Sequence, residues 1–151
     1  MDLNLPPFEM KLRESDGKEQ IFDPIRRKYV ALTPEERVRQ HFIHFLVNYR
    51  GYPLHRLANE IEISLFSTTK RCDTVVYGNH SVPIAIIEYK APHVKITEET
   101  FNQIARYNIL MKVKFLIVTN GLDHYVCRVD YDSQSIYYIS SIPSYDELSL
   151  I

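Results

Sequence analysis

The chain has 151 residues, of which 45% are hydrophobic and 25% are charged, and its formal net charge is −1. These values are ordinary for a domain that buries a core, and they exclude a strongly basic nucleic-acid-binding protein. No apolar run reaches the length of a membrane span, and the N terminus lacks a signal-peptide pattern, so we expect a cytoplasmic protein without membrane contact. The two cysteines, Cys72 and Cys127, lie in apolar segments and are expected to be buried free thiols.

The first 30 residues predict a short β-hairpin followed by a basic segment. Apolar and polar residues alternate over 8–13, and a turn at 15–18 leads into a second apolar segment at 20–22. The basic residues at 26–28 stand beside Tyr29 and could contact phosphates. They could equally form a solvated linker that docks Ile25, Tyr29 and Val30 on the core, and we favour the linker.

A helix is predicted to begin after Thr33. Threonine suits the N-cap, Pro34 suits the first helical position, and Glu36 stands where an acidic residue completes a capping box. Apolar residues then recur at helical spacing until Gly51, which supplies a stop. We interpret Glu36 as a capping residue first and as a site residue only second.

Alternating residues at 57–65 predict a strand. Ile61 and Ile63 would lie on one face, and Glu60 and Glu62 on the other. A half-exposed strand explains Glu62. If the strand neighbours the next one, Glu60 could add an auxiliary carboxylate to a site there.

Two apolar runs, 72–77 and 84–89, flank a polar turn and predict a central β-hairpin. Antiparallel pairing could put Asp73 beside Glu88, and Lys90 would share a strand face with Glu88. Charged residues in such apolar strands conflict with core formation and tend to mark sites. Carboxylates suit a hard divalent ion such as Mg²⁺, and a lysine can orient water or stabilise charge on a phosphate. This pattern predicts phosphodiester hydrolysis.

A second helix is predicted from Thr97 to Met111. Gln103 and Tyr107 are four residues apart and therefore lie on one face of this helix. Both side chains can hydrogen-bond phosphate or water, although they could instead tie the helix to a loop.

Strands are predicted at 114–119, 124–129 and 136–139. A strand, a helix and a buried apolar strand in succession indicate a crossover connection, so the strand at 114–119 should run parallel to a central strand. We expect the tail at 140–151 to be mobile or loosely packed.

Several segments, in this order, resemble the N-terminal nuclease domain of type I restriction enzyme R subunits, within the restriction-endonuclease-like superfamily. By that resemblance Asp73, Glu88 and Lys90 are the D…(D/E)-X-K triad, and Gln103 and Tyr107 match a Q-x-x-x-Y motif. Cys72 stands where the superfamily name has proline, and nothing fits the helicase-type translocase of a full R subunit, so we expect a stand-alone chain. The segments are KYVALTPEERVRQ, GYP, KRCDTVVY, IIEYKAP, FNQIARY and FLIVTNG, and they lie within about residues 25–130.

We therefore predict one α/β domain over residues 1–151, with its core at about 25–139. Its expected fold is restriction-endonuclease-like, with a mixed central sheet flanked by two main helices and an N-terminal β-hairpin.

The predicted function is Mg²⁺- or Mn²⁺-dependent DNA cleavage in restriction-modification or a related defence system. Asp73, Glu88 and the backbone carbonyl of Tyr89 would hold the metal, and Lys90 would assist the attacking water or the scissile phosphate. The alternative is a catalytically silent or partner-dependent DNA-binding or assembly module that needs a separate motor or specificity protein. A third interpretation is structural, with Lys90 neutralising the two carboxylates in an ion pair.

Overall fold

The chain forms a three-stranded sheet, a six-stranded sheet and three helices. The computed structural model describes residues 2–150, apart from the side chain of Tyr107. The strands are β1 (Leu12–Ser15), β2 (Lys18–Asp23), β3 (Lys28–Ala31), β4 (Leu57–Leu65), β5 (Thr68–Tyr77), β6 (Pro83–Tyr89), β7 (Phe115–Thr119), β8 (His124–Asp130) and β9 (Ser135–Ile139), and the helices are α1 (Pro34–Tyr49), α2 (Glu98–Ile109) and α3 (Tyr145–Leu150).

The small sheet extends the predicted N-terminal hairpin by one strand. β1 and β2 pair around a tight turn in which Asp16 and Gly17 both have positive φ, as a two-residue hairpin turn requires. β3 pairs with β2 in the part of the chain where we expected a linker. The basic segment before β3 is anchored by Arg26, which forms ion pairs with Asp23 and Glu36. Ile25 packs against the core and Arg27 is exposed, as predicted for this segment, but residues 28–31 form a strand and not a linker.

The large sheet has the strand order β4-β5-β6-β7-β8-β9. All neighbouring strands are antiparallel except β6 and β7, which are parallel and are joined through α2. A parallel pair needs such a crossover because a tight turn can only reverse the chain. This parallel pairing confirms the predicted crossover, and the mixed α/β architecture agrees with the predicted class.

The two main helices cover opposite faces of the large sheet. Residues along β7 alternate between the faces, so Phe115 and Ile117 share a buried cluster with α1, whereas Leu116 and Val118 share one with α2. The helix residues in these clusters are Val38, Phe42, Ile43 and Leu46 from α1 and Phe101, Ala105 and Ile104 from α2. β7 is buried on both faces of the sheet, which explains its continuous apolar sequence.

The C-terminal segment packs against the core, in contrast to the mobile tail that we expected. Ile142 and Leu148 are buried in the same cluster as α1. The hydroxyl of the buried Tyr52 donates to the carbonyl oxygen of Pro143 at 2.8 Å, and the hydroxyl of Tyr145 donates to that of Tyr77 at 2.8 Å. Apolar burial and these two hydrogen bonds hold the segment in place.

A buried chain of hydrogen bonds connects the small sheet to the middle of the large one. The hydroxyl of Tyr89 donates to Thr74 Oγ1 at 3.0 Å, and the hydroxyl of Thr74 donates to Asn59 Oδ1 at 2.6 Å. The Asn59 amide then donates to Asp23 Oδ2 at 3.0 Å. We call these four residues the polar chain.

Two further expectations concern the thiols and the membrane. Cys72 and Cys127 are buried and free, as predicted. Within residues 2–150, no helix combines the length and apolar character needed to cross a bilayer.

Candidate functional site

Asp73 and Glu88 are neighbours on the adjacent strands β5 and β6. The antiparallel register pairs Thr74 with Ile87, and the next positions along the two strands are Asp73 and Glu88. The backbone N–H of Tyr89 donates to Asp73 Oδ2 at 2.9 Å. The Asp73 carboxylate is therefore held against the β6 backbone beside Glu88.

The surroundings of Asp73 disfavour its negative charge. Burial raises the pKa of the Asp73 carboxyl above its ordinary value, and the nearby Glu60 carboxylate acts in the same direction. The Tyr89 N–H and the positive charges of Arg39 and Lys70 only partly offset this effect. A cation bound beside Asp73 would supply the missing stabilisation.

Glu88 has a lysine partner that the sequence analysis did not identify. The Lys70 ammonium contacts Glu88 Oε1, and the two side chains are only 16% and 13% exposed. Burial lowers the pKa of Lys70, and the positive charge of Lys90 lowers it further, while Cys72 and Asp73 raise it. The contact joins the outer part of β5 to the end of β6, so residue spacing along the chain gave no signal for it.

Lys90 lies directly after β6 and is half-buried. Its backbone N–H donates to the carbonyl oxygen of Thr119 at 2.9 Å, which continues the pairing with β7. Among the ion pairs of the described residues, Glu88 is joined to Lys70 and not to Lys90. The structural interpretation, in which Lys90 neutralises the carboxylates, is therefore wrong for Glu88.

Glu60 lies across from Asp73, between the cross-strand pairs that β4 and β5 form on either side. Its φ of 57° is in the left-handed region, and direct pairing between the strands is interrupted there. Glu60 Oε1 is 2.9 Å from Arg39 Nη2, and Oε2 is 2.8 Å from Arg71 Nε. Both carboxylate oxygens are thus engaged by arginines, and the auxiliary role predicted for Glu60 stays a prediction.

Arg39 on α1 connects these acidic residues to the helix. It donates through Nε and Nη2 to the two oxygens of Glu36, each at 2.8 Å, and through Nη1 to the backbone carbonyl oxygen of Asp73 at 2.8 Å. A guanidinium can serve several oxygens in this way because it carries five donors in a fixed plane. Arg39 therefore fixes β5 relative to α1 at the candidate site.

Glu36 has a different role from the one predicted for its side chain. Its backbone N–H donates to Thr33 Oγ1 at 3.1 Å, which confirms the N-cap. Its carboxylate, however, accepts from Arg39, Gln40 and Arg26. Burial alone would raise the pKa of Glu36, but these hydrogen bonds and the charge of Arg39 hold it below its ordinary value.

The two residues of the Q-x-x-x-Y motif lie on α2. The Gln103 side chain is exposed to solvent. The side chain of Tyr107 lies outside the described part of the structure. A role for either residue at the site stays a prediction.

Few side chains among the described residues are close enough together to share a metal ion. Within residues 2–150, no group of three or more His, Cys, Asp and Glu side chains is arranged to hold a metal ion. Any cation at Asp73 and Glu88 would therefore depend on backbone oxygens, water or substrate for its remaining ligands.

Comparison with known families identifies the relatives of this α/β chain. Residues 34–143 match the family model described as type I restriction enzyme R protein N terminus (HSDR_N). The match spans more than half of the chain and includes the strands that carry Asp73 and Glu88. The chain belongs to this family. Its relatives in this family are the N termini of type I restriction enzyme R proteins.

A solved structure shares the fold of this R protein N terminus. It is described as the fragment structure of a putative HsdR subunit of a type I restriction enzyme from Vibrio vulnificus YJ016. The TM-score is 0.54 at 22% sequence identity, and the match covers 78% of this chain and 24% of the solved one. This chain thus spans about a quarter of that relative. A search of curated proteins found no match.

Proposed function

We propose that this R protein N terminus is a divalent-metal-dependent nuclease domain of restriction-endonuclease-like type that hydrolyses DNA phosphodiester bonds. The observation that carries the proposal is the adjacent placement of Asp73 and Glu88 on the neighbouring strands β5 and β6. Charged residues at such partly buried positions cost stability. Residues that conflict with core formation in this way tend to mark functional sites. A bound cation would relieve the electrostatic cost that the raised pKa of Asp73 reflects.

The residues present fit Mg²⁺ or Mn²⁺. Asp73 and Glu88 offer hard carboxylate oxygens, and the carbonyl of Tyr89 is a further oxygen on the same strand end. Magnesium is commonly bound through one or two carboxylates, with waters and substrate phosphate completing the shell. When bound, the ion supplies positive charge at the scissile phosphate and lowers the pKa of a coordinated water.

The protein's own side chains contact the phosphate and the water or position the other site residues. Lys90 stabilises charge that develops on the phosphate or orients the attacking water. Gln103 and Tyr107 on α2 position phosphate or water through their amide and hydroxyl groups. Arg39 fixes the backbone of Asp73, and Glu60 holds Arg39 in turn, so we assign both to positioning and neither to metal binding.

A cleavage assay tests the proposal. Supercoiled and linear DNA are incubated with Mg²⁺ or Mn²⁺ and with the natural chain, Asp73→Asn, Lys90→Met or the control Lys18→Met, which alters an exposed lysine of β2. Asp73→Asn and Lys90→Met should each lower the cleavage rate by about 100-fold or more, the usual effect of removing a transition-state contact. The control should cut normally. Full cleavage by Lys90→Met would contradict the mechanism.

A second candidate function is a DNA-binding or assembly module that becomes active only with partners. The net charge of −1 favours it, because affinity for DNA depends largely on lysine and arginine. In that case the natural chain would not cut alone, yet Mn²⁺ would still raise its thermal midpoint, and Asp73→Asn would abolish that rise. Separate restriction-modification subunits would then deliver the DNA.

A further inference from the structure

We propose that Lys70 is the counter-cation of Glu88 in the metal-free protein and leaves Glu88 when a divalent cation binds. The inference rests on the proposed metal-dependent function and adds a residue that competes for the same carboxylate. It makes Lys70 a residue that occupies the Glu88 carboxylate without metal and lowers the metal affinity of the site.

The geometry of the Lys70 contact supports this competition. Its ammonium reaches Glu88 Oε1, one of the two oxygens that Glu88 can offer to a metal. Lys70 approaches from β5, the same strand that carries Asp73. A cation coordinated by Glu88 and Asp73 would therefore share with Lys70 the space beside the Glu88 carboxylate.

The charge distribution explains why Lys70 is in place without a metal and can be displaced by one. The Glu88 side chain is only 13% exposed, so its negative charge needs a nearby cation. Lys70 supplies one positive charge at this point, and the charge of Lys90 opposes it. A divalent ion supplies twice the charge of one ammonium, and it would also supply positive charge to the partly buried Asp73 carboxylate.

This role differs from that of a permanent structural ion pair. A permanent pair would leave Lys70 on Glu88 at every metal concentration, and its removal would weaken metal binding because Glu88 would lose its fixed position. A displaceable pair has the opposite consequence: removing the ammonium frees the carboxylate and also removes a charge that repels the cation. The direction of the change in metal affinity separates the two cases.

The experiment measures Mn²⁺ binding by titration calorimetry, without DNA. The proteins are the natural chain, Lys70→Met, Lys70→Arg, Glu88→Gln and the control Lys18→Met, which removes the same charge from the small sheet. We expect Lys70→Met to bind Mn²⁺ about tenfold more tightly or better, because a cation close to the metal is removed. Lys70→Arg and Lys18→Met should stay within about threefold of the natural chain.

Thermal unfolding provides the second measurement and shows whether each variant folds. Without metal, Lys70→Met should have a lower midpoint than the control Lys18→Met, because Glu88 loses its partner. Added Mn²⁺ should remove that difference. A midpoint of Lys70→Met equal to the control without metal would overturn the counter-cation role.

The outcomes distinguish failure of this inference from failure of the proposed function. If the natural chain binds Mn²⁺ and Lys70→Met binds it equally or more weakly, Lys70 is not displaced and only the inference is wrong. If neither protein binds Mn²⁺, or if Glu88→Gln binds as well as the natural chain, the metal site itself is wrong. Binding by Lys70→Met alone would support both, with Lys70 masking the site in the natural chain.

Discussion

Asp73 carries a negative charge in surroundings that raise its pKa. The carboxylate is partly buried, and the Glu60 carboxylate lies nearby, so its ionised form is disfavoured in the folded chain. We expect Asp73→Asn to stabilise the metal-free protein by on the order of 1 kcal/mol, because asparagine keeps an acceptor for the Tyr89 N–H without the charge. Urea unfolding at neutral pH in the presence of a chelator measures the difference. A loss of stability in the variant would show that Asp73 is mainly a structural residue.

At the scale of single residues, the alternation of side chains predicted which acidic residues would meet. Asp73 and Glu88 could be paired from the sequence because a hairpin brings opposite positions together once its turn is known. The partner of Glu88 could not be chosen in the same way. Lys90 is two residues away along the chain, yet Lys70 on the neighbouring strand is the lysine that contacts the carboxylate.

At the scale of secondary structure, two substitutions in α3 can show how firmly the C-terminal segment is attached to the core. Leu148 is 2% exposed and belongs to the main core cluster, whereas Leu150 on the same helix is 86% exposed. We expect Leu148→Ala to lower the free energy of unfolding by about 2–5 kcal/mol, the range for a buried leucine. The matched variant Leu150→Ala should change it by less than about 0.5 kcal/mol. Equal values for the two variants, measured by urea unfolding, would mean that the segment is not docked.

The long helix α1 was predictable, whereas the short elements α3 and β3 were not. Over its 16 residues, α1 repeats an apolar pattern several times and begins at the Thr33 cap, so its position could be predicted. α3 has six residues and β3 has four, too few for any period to repeat convincingly. Both depend on contacts distant in sequence, such as the hydrogen bond between Tyr145 and Tyr77, which sequence spacing does not contain.

At the scale of the whole molecule, buried acidic residues determine how stability depends on pH. Hydrogen bonds and arginine charges outweigh burial and lower the pKa of Asp23 and Glu36 from ordinary values of 3.8 and 4.5. Their ionised forms therefore stabilise the folded state above those values, and this contribution is lost as the pH falls through the lower folded-state values. The Asp73 contribution to the free energy of unfolding has the opposite sign, because its pKa is raised and its ionised form is disfavoured in the folded state.

We therefore expect the free energy of unfolding to decline as the pH falls below 4.5. Urea titrations at a series of pH values measure this decline. Glu36→Gln should be less stable at neutral pH, since Arg39 loses its charged partner, but its stability should fall less steeply in acid. An unchanged slope in this variant would contradict the role given to Glu36.

The polar chain determines the register in which β5 pairs with its neighbouring strands. A slip of β5 by two residues would keep every side chain on its own face, so apolar burial alone barely distinguishes the slipped sheet from the native one. Such a slip would separate Thr74 from both Asn59 and Tyr89 and leave three buried polar groups without partners. Each such group costs about 1–3 kcal/mol. Four buried polar side chains thus select a single alignment of the sheet, and with it the meeting of Asp73 and Glu88.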